Sequence, residues 1–356
     1  SAASDVYKRQ YSTYIFICAT LNLSNLLAIY DRRFIMLHEF TFNSYNKIDD
    51  VQAWIYVPAC EPKGIVQIIH GFGEHSRRYL HMITGLMDEG YIVAADDHVG
   101  HGKTAIINDN WGDWGDEGFH TMMEDEHRLM QIVKDKYPNL PYMLFGHSMG
   151  SFIARDFMAN YGDELTAVTL CGTSGVWPDL EDSIDKLKQL VAEGKGKESD
   201  PSVASSLLGW MFARCDEEVT IGNEWICKDK FVQIDHAEDP FDAFTKPTTN
   251  QAFLYFCQMI EYITGPEWAS KVPTDLKIYN IAGDQDPVGQ YGRGVYEVSN
   301  WLIESGHDVK TQLYSGYRHE IHNYPDLKTD VMWNLAEFYN NVLGCGFESM
   351  MEKYSS

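Results

Sequence analysis

The sequence predicts an α/β protein: a mostly parallel, doubly wound sheet carrying one mainly helical insertion. Three observations lead there. Short, predominantly apolar runs recur, among them Ile65-Val66-Gln67-Ile68-Ile69, Tyr91-Ile92-Val93-Ala94-Ala95 and Pro141-Tyr142-Met143-Leu144-Phe145. Strands read this way when both faces are covered and neither meets water. Stretches with helical periodicity separate these runs, which is the alternation of an α/β fold. The rhythm then breaks once, from Val176 to about Ala269, and resumes.

Taken in order, residues 37–43 and 51–58 read as two strands joined by the polar turn Asn43 to Asp50. The strand at 65–69 runs into His70-Gly71-Phe72-Gly73. A helix from about Arg78 to Glu89 stops at Gly90, a residue suited to the left-handed position past a helix end. Strand 91–95, helix 119–137, strand 141–146, helix 149–161 and strand 165–172 follow. The interrupted stretch has a charged helical piece (Leu180 to Lys197), a Ser/Asp/Pro-rich patch (199–206) and aromatics at Trp210, Phe212, Trp225, Phe231, Phe241 and Phe244. Strand 276–282, helix 290–305, strand 308–314 and a helix from about Pro325 to Val342 complete the pattern. The expected organisation is a core formed by 36–175 and 270–345, a cap insertion at 176–269 and a tail at 346–356. Residues 1–10 resemble a translated adaptor tail, the expected start is Met36, and residues 1–35 are set aside as a non-domain extension. The apolar part of that extension, Tyr14 to Tyr30, is short for a bilayer span: about 25 Å as helix against roughly 30 Å of hydrocarbon.

Composition narrows the partners. The 356 residues carry 28 basic and 52 acidic side chains, a net charge of −24. Such a surface repels phosphate backbones and anionic headgroups, which argues against nucleic-acid binding and stable membrane insertion. The seven cysteines are scattered, with no C-x-x-C pair. That spacing suits reduced thiols in a cytoplasmic protein better than a disulfide framework or a zinc motif.

The chemistry centres on Gly146-His147-Ser148-Met149-Gly150, set between an apolar strand and a helix. A serine on so sharp a turn is lifted clear of the sheet, and the glycines remove side chains that would clash. Its oxygen lies beside a helix N-terminus, whose unpaired N–H groups bind developing negative charge. A serine nucleophile needs a base, and the base needs an orienting carboxylate. Asp286, in the loop after strand 276–282, is the candidate acid, with Asp284 as the alternative. His319, after the last strand, is the candidate base, with His322 as the alternative. The backbone N–H groups of Phe72 and Met149 are the candidate oxyanion donors. His75 and His101 read as loop-packing residues. The set calls for no cofactor and no metal.

Five motifs then carry a resemblance: His70-Gly71-Phe72-Gly73-Glu74-His75-Ser76, Asp97-His98-Val99-Gly100-His101-Gly102, the serine pentapeptide, Gly283-x-x-Asp286 and Gly316-x-x-His319-Glu320-Ile321. Together, over about residues 37–345, the chain resembles the monoacylglycerol lipase and lysophospholipase branch of the α/β-hydrolases. The resemblance implies a helical cap at 176–269, a Ser148–His319–Asp286 triad, oxyanion donors at Phe72 and Met149, and a small-molecule ester or lipid substrate. A catalytically inactive ligand-binding protein and a peptidase or amidase on the same scaffold are the alternatives.

Overall fold

In a computed structural model, residues 36–209, 222–242 and 246–346 are described. The extension at 1–35, with Trp210, Phe212 and Phe244 of the aromatic series, lies outside them.

Eight strands form one sheet in the order β1-β2-β4-β3-β5-β6-β7-β8. They are β1 (Leu37–Asn43), β2 (Asp50–Tyr56), β3 (Gly64–Ile69), β4 (Tyr91–Asp97), β5 (Tyr142–His147), β6 (Ala167–Cys171), β7 (Lys277–Gly283) and β8 (Val309–Tyr314). The first two pair antiparallel, as a tight polar turn requires, β2 pairs antiparallel with β4, and every later pairing is parallel. Side chains alternate across the sheet. Ile65 and Ile69 of β3 join the core on one face, and Val66 and Ile68 join the core on the other. Burial on both faces is why the central strands show no polar alternation, unlike the exposed β1 at the sheet edge.

From β3 the chain steps outward to β4 and then returns to place β5 on β3's other side. The order therefore reverses between β3 and β5, which opens a crevice beyond their C-terminal ends. The loop after β3 and the turn after β5 face each other across it.

The helices outside the interrupted stretch are α1 (Leu80–Asp88), α2 (Gly102–Asn108), α3 (Thr121–Lys136), α4 (Met149–Tyr161), α10 (Arg293–Glu304) and α11 (Lys328–Val342), with α5–α9 lying between β6 and β7. A 3-10 turn, Ser76–Tyr79, leads into α1, and Gly90 closes it at φ +85°. The α10 helix begins three residues later than its periodicity suggests, because Gln290 and Tyr291 hold left-handed φ of 53° and 58°. The α11 helix likewise begins at Lys328, after a turn in which the Leu327 N–H bonds the Tyr324 carbonyl at 3.1 Å.

Between β6 and β7 run α5 (Leu180–Ala192), α6 (Pro201–Leu208), α7 (Lys230–Glu238), α8 (Asn250–Tyr262) and α9 (Pro266–Ala269). The charged helix ends at Ala192 rather than Lys197, because Gly194 turns the chain at φ +79°. Three of these helices have side-chain caps: Asp200 accepts from the Ser202 N–H, Asp229 from Phe231 and Val232, and Thr249 from Ala252. Each cap satisfies donors that a helix start leaves open. The α8 helix buries Phe253, Phe256, Cys257 and Ile260, an i, i+3, i+4 face, against the core. Arg155, wholly buried in α4, donates to the Ser174 carbonyl at 2.8 Å and to the Ile263 carbonyl, and its guanidinium lies 4.5 Å over the Trp268 ring. Among the described residues no helix is long and apolar enough to cross a membrane.

Backbone packs very closely under the serine turn. A Cβ on Gly150 would sit 2.1 Å from the Ile69 carbonyl oxygen, and one on Gly146 would sit 2.3 Å from the Gly150 oxygen. Backbone must move to admit either. Alanine favours a helix by about 1 kcal/mol over glycine, whereas overpacking a rigid contact costs about 1–3 kcal/mol or more. The clash should win: Gly150→Ala is expected to lower the urea unfolding midpoint, and an unchanged or raised midpoint would contradict the packing.

Candidate active site

Ser148 is the residue at the turn, with φ 54° and ψ −123°, a conformation that L-residues rarely adopt. It is held from both sides. Its N–H donates to the Cys171 carbonyl at 2.9 Å, and its own carbonyl accepts from the Ser151 N–H at 2.8 Å and the Ser151 hydroxyl at 2.6 Å. Met149 begins α4, so its N–H is one of the first-turn donors that the helix itself leaves unused. Across the crevice, the loop after β3 comes close enough that a Cβ on Gly71 would lie 3.0 Å from the Ser148 Cβ. Phe72 follows directly.

Asp286 sits in the loop beyond β7 and His319 in the loop beyond β8. The His319 Nδ1 lies 3.0 and 2.9 Å from the two Asp286 carboxylate oxygens. A carboxylate only accepts, so Nδ1 carries the proton and Nε2 presents its lone pair. That Nε2 is buried and has no hydrogen-bond partner. The carboxylate is itself oriented by the Val288 N–H at 2.9 Å. Gly172, at φ +63°, makes room for the imidazole, since a Cβ there would lie 2.9 Å from the His319 Cε1. The Trp225 ring packs 5.1 Å from the imidazole, centroid to centroid.

The alternatives are occupied elsewhere. Asp284 accepts from the Ser315 hydroxyl at 2.9 Å and the Gly316 N–H at 2.7 Å, which makes it a turn cap. His322 is not a surface or helix-start residue. It is wholly buried, stacks on Tyr79 at 4.7 Å, and burial holds it well below its usual pKa. His101 is packed and hydrogen-bonded to the Val99 carbonyl. His75 pairs with Asp239 at 2.9 Å.

Sequence reasoning assigned no role to Glu74, although it quoted the motif that contains it. One oxygen of Glu74 accepts from the Gly71 N–H at 2.6 Å, the Tyr79 hydroxyl at 2.6 Å and the His147 Nδ1 at 2.9 Å. A single carboxylate thus ties the loop carrying Phe72 to the residue before Ser148. Arg78 lies 3.6 Å from Glu74 and 2.9 Å from Glu320, next to His319. Burial alone would raise both carboxyls. The His147 hydrogen bond and charge overcome it for Glu74, and the Arg78 charge overcomes it for Glu320, so each is held at about 2. For His147, burial works downward and the Glu74 contact upward, and the result is a raised pKa.

The cavity above Ser148 is narrow, with an internal volume of about 40 Å³. Phe72, Met149, Phe152, Trp177, Leu208, Trp225, Phe253, Phe256 and Val288 line it with the serine, and none of these described residues is charged. Leu208, Trp225 and the two α8 phenylalanines come from the stretch between β6 and β7.

A family model described as serine aminopeptidase, S33, matches residues 60–326. The chain belongs to the serine aminopeptidase S33 family. Its eight-stranded, mostly parallel sheet is the α/β-hydrolase fold, as the sequence led us to expect. Among solved structures, a thermostable carboxyl esterase from Bacillus coagulans, in complex with glycerol, is 54% identical. It has a TM-score of 0.85 over 87% of this chain and 99% of its own. A lipase in its open form is 35% identical, with a TM-score of 0.80 over 86% of this chain and 99% of its own. A monoacylglycerol lipase of Mycolicibacterium smegmatis is 26% identical over 281 residues, 77% of this chain and 87% of the relative.

The Glu74 network has a pH signature. A carboxylate whose pKa is depressed on folding stabilises the native state above its ordinary value of 4.5 and loses that contribution as pH falls towards about 2. A shift of this size corresponds to stabilisation on the order of 3 kcal/mol. Glu74→Gln is therefore expected to be less stable than wild type near neutral pH, with the gap closing as pH falls below 4.5. Urea unfolding of both proteins across that range measures it, and a gap independent of pH would count against the pairing.

Proposed function

We propose that this protein is a serine carboxylic-ester hydrolase that acts on a monoacylglycerol, lysophospholipid or similar single-chain ester through an acyl-enzyme. In this reading Ser148 is the nucleophile, His319 the base, Asp286 the orienting acid, and the Phe72 and Met149 N–H groups the oxyanion donors. Residues 176–269 form a cap over a core made by 36–175 and 270–345. The observation that carries the reading is the His319 tautomer: with Nδ1 committed to Asp286, an unpartnered Nε2 is left to take a proton.

The steps follow from that arrangement. His319 Nε2 accepts the Ser148 proton as the hydroxyl oxygen attacks the ester carbonyl. The carbonyl oxygen gains negative charge and rests on the two backbone N–H groups, each worth about 100- to 1,000-fold in rate. The tetrahedral species expels the alcohol, which leaves with the proton from His319, and Ser148 keeps the acyl group. Water then attacks the acyl-enzyme, losing a proton to His319, which returns it to the Ser148 oxygen as the carboxylic acid departs. The Asp286 carboxylate stabilises the imidazolium formed in each half. An apolar wall built from Phe72, Phe152, Phe253 and Phe256 suits an acyl chain, and the esterase and lipase relatives support the same chemistry.

The family description favours a second reading, an aminopeptidase. Holding a substrate's free α-ammonium calls for a carboxylate facing the cavity, and the described lining residues include none. Turnover of an acyl nitrophenyl ester should therefore greatly exceed that of an aminoacyl nitroanilide, and the reverse ranking would replace the ester reading. Ser148→Ala is expected to lower kcat by about a million-fold and to abolish labelling by a fluorophosphonate. Wild-type protein that takes up no such label would instead be a ligand-binding relative. Asp286→Asn should lower kcat by roughly ten-thousand-fold, because the imidazole loses its enforced tautomer.

A further inference from the structure

A second cluster lies at the end of β4, the neighbour of β3, outside the steps above. Asp96 is the penultimate residue of β4, His98 follows that strand, and Glu126 is in the second turn of α3. All three are essentially without solvent exposure. The protonation of His98 follows from its surroundings. Its backbone N–H donates to the His70 Nε2 at 3.0 Å, which leaves the His70 Nδ1 to carry a proton and donate to the Gly71 carbonyl at 2.8 Å. The His98 Nε2 lies 3.1 Å from the His70 carbonyl, which only accepts, so His98 carries its proton on Nε2. In the neutral ring, Nδ1 then presents a lone pair. It faces the Asp96 Oδ1 at 3.3 Å and the Glu126 Oε1 at 3.3 Å.

None of these three atoms, nor the Asp96 Oδ2, has a hydrogen-bond partner. Three acceptors confront one another where no water reaches, and leaving them so is costly. Protons are one resolution, since the Asp96 charge raises the His98 pKa against burial, and burial together with Asp96 raises that of Glu126. A divalent cation can take all three and brings two carboxylates and itself to zero net charge. We propose that Asp96, His98 and Glu126 bind one divalent cation of the zinc class through the Asp96 Oδ1, the His98 Nδ1 and the Glu126 Oε1.

The dimensions fit. Zinc–nitrogen and zinc–oxygen bonds of about 2.0–2.1 Å in a tetrahedron put neighbouring ligand atoms roughly 3.3 Å apart. The donor set of one imidazole and two carboxylates suits zinc, manganese or cobalt rather than calcium or magnesium. The surroundings also resemble those of a metal site. The second nitrogen of a metal-bound histidine typically donates to a carbonyl or carboxylate, as the His98 Nε2 does to His70, and ligating carboxylates are themselves hydrogen-bonded. The other Glu126 oxygen accepts from the Gln67 side-chain amide, whose own carbonyl accepts from the Tyr142 hydroxyl. The role is structural. The cation joins the end of β4 to α3, and His98 stacks on His70 at 3.8 Å, immediately before the loop that carries Phe72.

The test uses the full chain, stripped with a chelator, re-equilibrated with ZnCl2 and desalted. Mass spectrometry of the metal content should give about one zinc per chain, and zinc should raise Tm, since a ligand bound only by the native state stabilises it. Asp96→Asn and Glu126→Gln keep the shape of the site and should lose both the metal and the Tm increment. Cys171→Ser and Asp239→Asn, which alter two other His-containing clusters, should retain both. Wild type that retains less than about a tenth of an equivalent of zinc, manganese or cobalt overturns the proposal without recourse to any variant. So does metal that persists in Asp96→Asn and Glu126→Gln, or that is lost in a control variant.

Discussion

Steric contact between two pieces of backbone governs this molecule. The first turn of α4 lies directly on the end of β3, with no room for a single methyl group between Gly150 and the Ile69 carbonyl. That contact brings the turn after β5 and the loop after β3 within van der Waals distance, so that Ser148 and Gly71 nearly touch. The reversal of strand order between β3 and β5 makes this meeting possible, and the paired glycines make it close. The unfavourable φ of Ser148 is tolerated because hydrogen bonds on either side, to Cys171 and Ser151, leave the residue no alternative.

Electrostatics complete what sterics begin. Around the serine turn, Glu74, His147, Arg78 and Glu320 are buried with their charges matched, and the pKa values of the two carboxylates move far from their ordinary range. Burying such groups is costly, and losing one partner leaves the others stranded. The arrangement therefore specifies one geometry and stabilises it only while every member is present. Gly71, His147 and the loop carrying His319 are each tied to a member of the network.

Strands and the local motifs were legible in the sequence because their signals are short-range. The uninterrupted apolar runs marked strands to within a residue or two, and Ser148, Asp286 and His319 all lie in loops that follow recognisable strands. What stayed hidden depends on partners distant in the chain. Glu74 meets His147 across 73 positions and Arg78 meets Glu320 across 242, and no spacing rule connects either pair. The short α2 helix escaped notice for a related reason. Its first turn is satisfied by Asp97, which accepts from the Lys103 N–H at 2.7 Å from beyond the helix's own N-cap. The overlong reading of α5 had a purely local cause, the left-handed Gly194.

One buried cation, Arg155, grips the chain where it leaves β6 and again where α8 ends, nearly ninety residues later. Both ends of the helical excursion are thus moored at one point of the scaffold. Whatever is threaded between the two moorings can lengthen, shorten or change character while the sheet beneath keeps its register. Divergence among relatives can then be concentrated in a replaceable cassette, so that an ancestral framework acquires new molecular tastes without having to relearn how to fold.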